Sequence, residues 1–210
     1  MTRVEKLRAY LEGYYREHGQ NLLFHGWHHI AFVTDKAAAL AGELGADVEI
    51  VTTAALVHDL NYLVDPHSRV TEGEALRKKI LSSHSYSAEE MAHIEKIVTT
   101  EDMRSRDEHI GIEAQILSDA DTLYKCLPVG APIFTARFLE QTGTSLEKLA
   151  RNIVTIQAPL IDRGIYFYSQ SYKSRYADWA AHNMKTWKLV LDALQDKEVA
   201  NLLDNVGVKR

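Results

Sequence analysis

Cysteine, proline and glycine are all scarce in this chain of 210 residues, which holds one Cys, four Pro and eleven Gly. The single thiol, Cys126, excludes an intramolecular disulfide framework and points to a reducing, cytoplasmic setting. Long apolar runs are missing too: nothing approaches the roughly 20 consecutive apolar residues that a membrane span needs. The stretch Ala54–Val57 is short and runs straight into His58-Asp59. The N-terminal Met1-Thr2-Arg3-Val4-Glu5-Lys6 leads into a charged helix, not an apolar signal segment. No basic stripe is present, because Lys and Arg occur singly or in pairs and the formal charge is −5. That argues against a nucleic-acid backbone as partner and for a small polar substrate.

What is present is a globular balance of 46% apolar and 25% charged residues, enough to bury a core and too apolar for disorder. With turn residues so sparse, the apolar positions fall at helical spacing in segment after segment, and an all-α fold is expected. The first helix is expected over residues 3–18, with Val4, Leu7, Leu11 and Tyr14 on its buried face. A second runs from Gly26 or Trp27 to Gly45, and a third from an Asp47 N-cap to His58-Asp59. Residues 61–69 read as a loop around Asp65-Pro66. Thr71-Glu72-Gly73-Glu74 and Ser87-Ala88-Glu89-Glu90 both resemble capping boxes, opening helices to about Ser82 and Thr99. Further helices are expected near 112–127, 133–140, 146–161 and 175–194. No repeat or linker divides the chain. The reading is one helical domain over 1–210, with its core at about 20–130 and the helices of 131–210 packed on it.

The first chemical anomaly is the pair His58 and Asp59 at the end of a strongly apolar helix. Neighbours on a helix point about 100° apart, so both reach one ion only where the helix ends. Imidazole nitrogen with carboxylate oxygen suits one divalent Mn, Fe, Co, Ni or Zn better than Mg. His29, beside Ile30 and on the face of Val33, is the best further ligand. Asp119 and Asp121 lie in an otherwise core-forming helix, and at least one must meet a cation or hydrogen-bond donors. The other is expected at the surface.

The order His29-x-x-x-Val33, Leu56-Val57-His58-Asp59 and Ala120-Asp121-x-Leu123 resembles the HD superfamily of metal-dependent phosphohydrolases. The resemblance covers about residues 25–125. It implies an HD-domain helical bundle with additional C-terminal helices and a metal held by His29, His58, Asp59 and Asp121, with Asp119 as the alternative fourth ligand. His25-Gly26-Trp27-His28-His29 is similar to the His-Asp-x-x-His opening of small HD proteins, with Gly26 in place of Asp. Many relatives carry a His where this chain has Glu101, after Ile97-Val98-Thr99-Thr100. Glu101 is therefore a candidate second-metal ligand, a general acid or base, or, with Asp102, a solvated surface pair.

The implied chemistry is metal-assisted hydrolysis of a nucleotide or another small phosphorylated metabolite, with Asp59 as the proton shuttle. The substrate phosphate requires a cation, and Arg69, Lys78, Arg104, Arg106 and Lys125 are in range; His67 and Arg69, in the loop after the doublet, are favoured. Two other readings compete, a non-catalytic module that binds a phospholigand and a di-iron HD oxygenase. His18, His84, His93, His109 and His182 show no ligand spacing and read as surface. The aromatics Tyr166, Phe167, Tyr168, Tyr172, Tyr176, Trp179 and Trp187 read as helix packing or a homodimer seam, and Cys126 as a core thiol.

Overall fold

A computed structural model describes residues 1–103 and 106–207. Every regular element among them is helical. They divide into two compact units, Met1–Tyr124 and Lys125 onward. Among the described residues, no helix is long and apolar enough to cross a membrane.

The first unit opens with α1 (Arg3–His18), whose Thr2 and Glu5 complete a reciprocal capping box. Its buried face is Leu7, Leu11 and Tyr15, one step round from the Tyr14 expected from the sequence. In α2 (Trp27–Leu44), the residues His29, Ile30, Val33, Thr34, Ala37, Leu40 and Ala41 form one buried stripe. Asp47 caps α3 (Val48–Val57) by accepting from the Ile50 amide at 3.0 Å.

The helix α3 is the axis of this unit and packs against α1, α2 and, further along, α6 (Ala88–Thr100). Every residue from Ile50 to His58 is buried, so beyond its exposed first two residues this helix has no solvent face. Its two buried threonines are satisfied locally: Thr52 donates to the Val48 carbonyl, and Thr53 shares a 2.7 Å bond with the Tyr86 hydroxyl. Burying Ile50, Val51, Leu56 and Val57 contributes about 1.5–3 kcal/mol each. A surface pair such as Arg8–Asp35 contributes about 0–1 kcal/mol. Packing therefore sets where α3 ends, and so where His58 and Asp59 stand.

The stretch expected as a loop contains one helical turn, α4 (Asn61–Val64), before the Asp65-Pro66 break. A 3-10 turn at Val70–Gly73 follows and runs into α5 (Glu74–Ser83). Thr71 is therefore inside a turn and caps nothing, while Glu72 reaches back to the Arg69 amide at 2.9 Å. The Ser87–Glu90 capping box opens α6 as expected. The unit closes with α7 (Ile112–Cys126), which continues just past the boundary.

The second unit contains α8 (Gly130–Thr142), α9 (Leu146–Asp162), α10 (Gln170–Ala193) and α11 (Lys197–Asn205), with α9 packed on α10. Pro132 sits in the first turn of α8, where its missing N–H has no intrahelical partner to lose, so the helix begins earlier than expected. Ser169 caps α10 by accepting from the Tyr172 amide, which places the start of that helix at Gln170 instead of Arg175. Tyr166, Phe167, Tyr172 and Trp187 are buried packing residues. Burial pushes the Cys126 thiol up to about 12, consistent with an inert core residue.

Candidate metal centre

The chain turns sharply where α3 ends. His58 keeps helical angles as the C-cap, and the Leu60 amide bonds to the Val57 carbonyl at 3.2 Å and Tyr62 to Asp59 at 3.0 Å. These tightened three-residue steps let adjacent side chains converge. His58 Nε2 lies 3.3 Å from Asp59 Oδ2.

The second histidine comes from the buried stripe of α2. His29 Nε2 stands 3.2 Å from His58 Nε2, 3.1 Å from Asp59 Oδ2 and 3.6 Å from Asp121 Oδ1. Ligand atoms of His29, His58 and Asp121 all lie within 4.8 Å of one another. Donors about 2.1 Å from an ion stand about 3.0 Å apart at adjacent octahedral corners and about 3.4 Å apart in a tetrahedron. The observed spacings fit a set of ligands around one ion, and two nitrogens with two carboxylates are a suitable donor set for a borderline divalent metal.

His58 Nδ1 is 2.8 Å from the Ala55 carbonyl, which can only accept, so this nitrogen carries a hydrogen in either protonation state. Nε2 is thus the atom that faces the cluster. Burial pushes the His58 imidazolium down, but the charge and hydrogen bond of Asp59, with Asp121 and Glu101 adding, raise it to about 9. Burial likewise opposes charge on Asp59, yet His58, His29 and His25 hold its carboxyl well below the usual range. His29 is oriented by aromatic rings: Tyr124 is edge-on at 4.5 Å and Phe24 stacks at 6.0 Å.

Both acids of α7 are buried, Asp119 fully, where one was expected at the surface. Asp121 lies with His29 and His58 in one mutually close set that includes neither Asp119 nor Asp59, and Asp59 joins the cluster through its contacts of 3.1 Å to His29 and 3.3 Å to His58. Glu101 also differs from the solvated-pair reading, being 8% exposed and close enough for its charge to act on His58. It is the C-cap of α6, and its carbonyl accepts from the Ser118 hydroxyl of α7 at 3.2 Å. Arg106 is buried and donates to the Ser118 carbonyl and the Thr122 hydroxyl, bracing the same helix. Lys78 pairs with Glu74 at the surface, and Arg104 lies outside the described residues. His67 and Arg69 are exposed on the loop after α4, and neither side chain bonds to the cluster. His25 is buried and stacked on Tyr62 at 3.8 Å, whereas His28 is exposed.

Behind the Asp59 turn stands a frame that the linear pattern barely marks. Arg77 is fully buried, forks onto Glu95 through Nε and Nη2, and donates from Nη2 to the Val70 carbonyl at 2.8 Å. Gly73 sits between this guanidinium and the turn: a Cβ there would lie 2.5 Å from Arg77 Nη1 and 2.8 Å from the Asn61 amide nitrogen. Asn61 is clasped from the other side by Ser68, whose hydroxyl donates to the Asn61 carbonyl at 2.7 Å. An arginine at helical spacing in a polar segment looks like any surface arginine, so only the lone Gly73 between Glu72 and Glu74 hinted at a close backbone approach.

Known proteins resemble this chain in sequence and in fold. Residues 26–125 match the family model described as HD domain. The Bacillus subtilis protein YpgQ is 29% identical over 128 residues, which span 59% of this chain and 60% of YpgQ. The crystal structure of YpgQ in complex with ADP shares the fold with a TM-score of 0.61, at 21% identity and with 97% of each chain covered. A second YpgQ crystal structure gives 0.61 at 20% identity over 98% of each chain. With His29, His58-Asp59 and Asp121 inside the matched residues, the segment 26–125 is similar to the HD-domain family.

Proposed function

We propose that this protein is a metal-dependent phosphohydrolase acting on a nucleotide or a similar small phosphorylated metabolite. The observation that carries the reading is the convergence of His29 Nε2, His58 Nε2, Asp59 Oδ2 and Asp121 Oδ1, with contacts of 3.1–3.6 Å. The HD-domain match supports the reaction class. The capture of ADP by YpgQ supports a nucleotide as ligand.

In this reading His29, His58, Asp59 and Asp121 hold one divalent ion, with Mn, Fe, Co, Ni or Zn favoured over Mg. When bound, such an ion lowers the pKa of water and polarises a phosphoryl oxygen. The protein residues do the rest. Asp59, partly exposed where the other three are buried, accepts the proton of the attacking water. Glu101 supplies a second buried carboxyl close by, suited in its protonated form to giving a proton of its own to the leaving group. His67 and Arg69 on the exposed loop meet the substrate phosphates.

A panel of nucleoside mono-, di- and triphosphates and sugar phosphates, assayed with Mn, Co, Zn and Mg, tests this. Turnover that is lost in His58→Ala is expected. Full activity in that variant would overturn the role given to the His29–His58 cluster, and ligand binding without turnover under every metal would overturn the proposal in favour of a binding module.

A further inference from the structure

Tyr15 belongs to α1 and lies outside the segment matched to the HD domain. It is 3% exposed, and its hydroxyl is buried with no hydrogen-bond partner among the described residues. Buried phenols nearly always find a partner, so an orphaned one marks a place where a group is missing.

Three neighbours locate that place. The Tyr15 ring packs on Trp27 with centroids 6.1 Å apart, and Trp27 opens α2 two residues before His29. A Cβ built on Gly19 would meet Tyr15 Cδ1 at 3.2 Å and Leu63 Cδ2 at 3.5 Å, so the ring also borders α4, the turn that follows Asp59. Asp59 itself is near enough for its charge to act on the phenol. Tyr15 therefore stands between the first turn of α2 and the turn after α3, the two backbone segments that present His29 and Asp59.

We propose that Tyr15 is a further hydrogen-bond donor of the metal centre, its hydroxyl meeting an oxygen ligand beside Asp59. Resting on the phosphohydrolase reading, that oxygen is either a phosphoryl oxygen of the bound nucleotide or the water that attacks it. A phenol keeps its proton at neutral pH, so the hydroxyl can act as a donor there.

The variant Tyr15→Phe removes the hydroxyl and keeps the ring. Titration with Mn2+, titration with ADP in the presence of Mn2+, and steady-state turnover of a nucleoside triphosphate separate the outcomes. A loss of ADP affinity of about ten- to hundredfold, the range for a hydrogen bond to a charged group, with Mn2+ affinity unchanged, identifies the phosphoryl oxygen. A similar fall in kcat with both affinities unchanged identifies the water. Values within about twofold of the parent throughout, or Mn2+ affinity falling in parallel with the rest, overturn the proposal. A parent protein that binds Mn2+ and ADP without turnover sinks the hydrolase reading alone, and Tyr15 is then judged by its effect on ADP. A parent that takes Mn2+ but neither binds ADP nor turns over a phosphoester overturns both.

Discussion

His29 and His58 present their Nε2 atoms to each other at 3.2 Å, although one comes from the first turn of α2 and the other is the residue that caps the end of α3. Two imidazoles so placed, with two carboxylates alongside, can share a proton or a divalent cation. Replacing His29, His58 or Asp121 by alanine is expected to lower metal affinity by at least about tenfold to a hundredfold, with turnover falling at least as far. Asp119→Ala should behave differently, unfolding at lower temperature while keeping more metal affinity than Asp121→Ala. Metal content by mass spectrometry, beside thermal unfolding of the same variants, separates the two acids.

Proton competition gives the centre a signed pH dependence. His58 has a metal-free pKa raised to about 9, so an ion must displace its Nε2 proton. Mn2+ affinity should climb with pH, by up to about tenfold per unit, and level off near 9. Stability of the metal-free protein runs the other way on this residue: the His58 contribution is complete below its unfolded value of about 6.5 and is lost as pH rises toward 9. The depressed Asp59 contributes above about 3.9 and loses its effect as pH falls. Calorimetric titration in buffers of different ionisation enthalpy measures the released proton directly, and a pH-independent affinity would contradict the arrangement.

Arg77 and Glu95 form a pair in which the arginine is wholly buried and the acid 16% exposed. Removing one partner, as in Glu95→Gln or Arg77→Met, strands the other and is expected to cost about 3–5 kcal/mol. Replacing both by apolar residues of similar volume should recover much of that loss. Urea unfolding of the two single variants and the double variant provides the cycle.

Gly73→Ala is expected to destabilise by about 1–3 kcal/mol, because the guanidinium on one side and the Asn61 backbone on the other leave no room for a methyl group. Asn61 lies two residues beyond Asp59, so this variant should also weaken Mn2+ binding. Ser87→Ala, a loss of about 1 kcal/mol at a remote cap, controls for stability alone.

The parts of this fold that a linear pattern encodes were legible from it. Asp47, the largely apolar run after it and the doublet at its end define α3, because a helix buried all round lacks a charged stripe beyond its first turn. His29 was legible by its place on the stripe of α2. The single turn of α4 was not, since Asp65-Pro66 is the stronger local signal and the turn depends on the Asn61–Ser68 clasp. On α1, Tyr14 and Tyr15 fit the period from Leu11 almost equally, and only packing selects Tyr15. Arg77 and Glu101 look like surface residues because their burial depends on partners distant in sequence or on tertiary packing. The helix α11 has a clear Asp196 cap, but it follows α10 so closely that the two segments read as one ending.

The absence of a solvent face on α3 reaches beyond packing. Amide protons in a helix enclosed on all sides exchange only when the whole unit opens, so those of Ala54 to Val57 should be among the slowest in the chain. An ion bound at the end of that helix multiplies the protection of these amides by 1 + [M]/Kd, provided the open form does not bind it. Deuterium uptake along α3 would then serve as a gauge of metal occupancy, readable without any substrate.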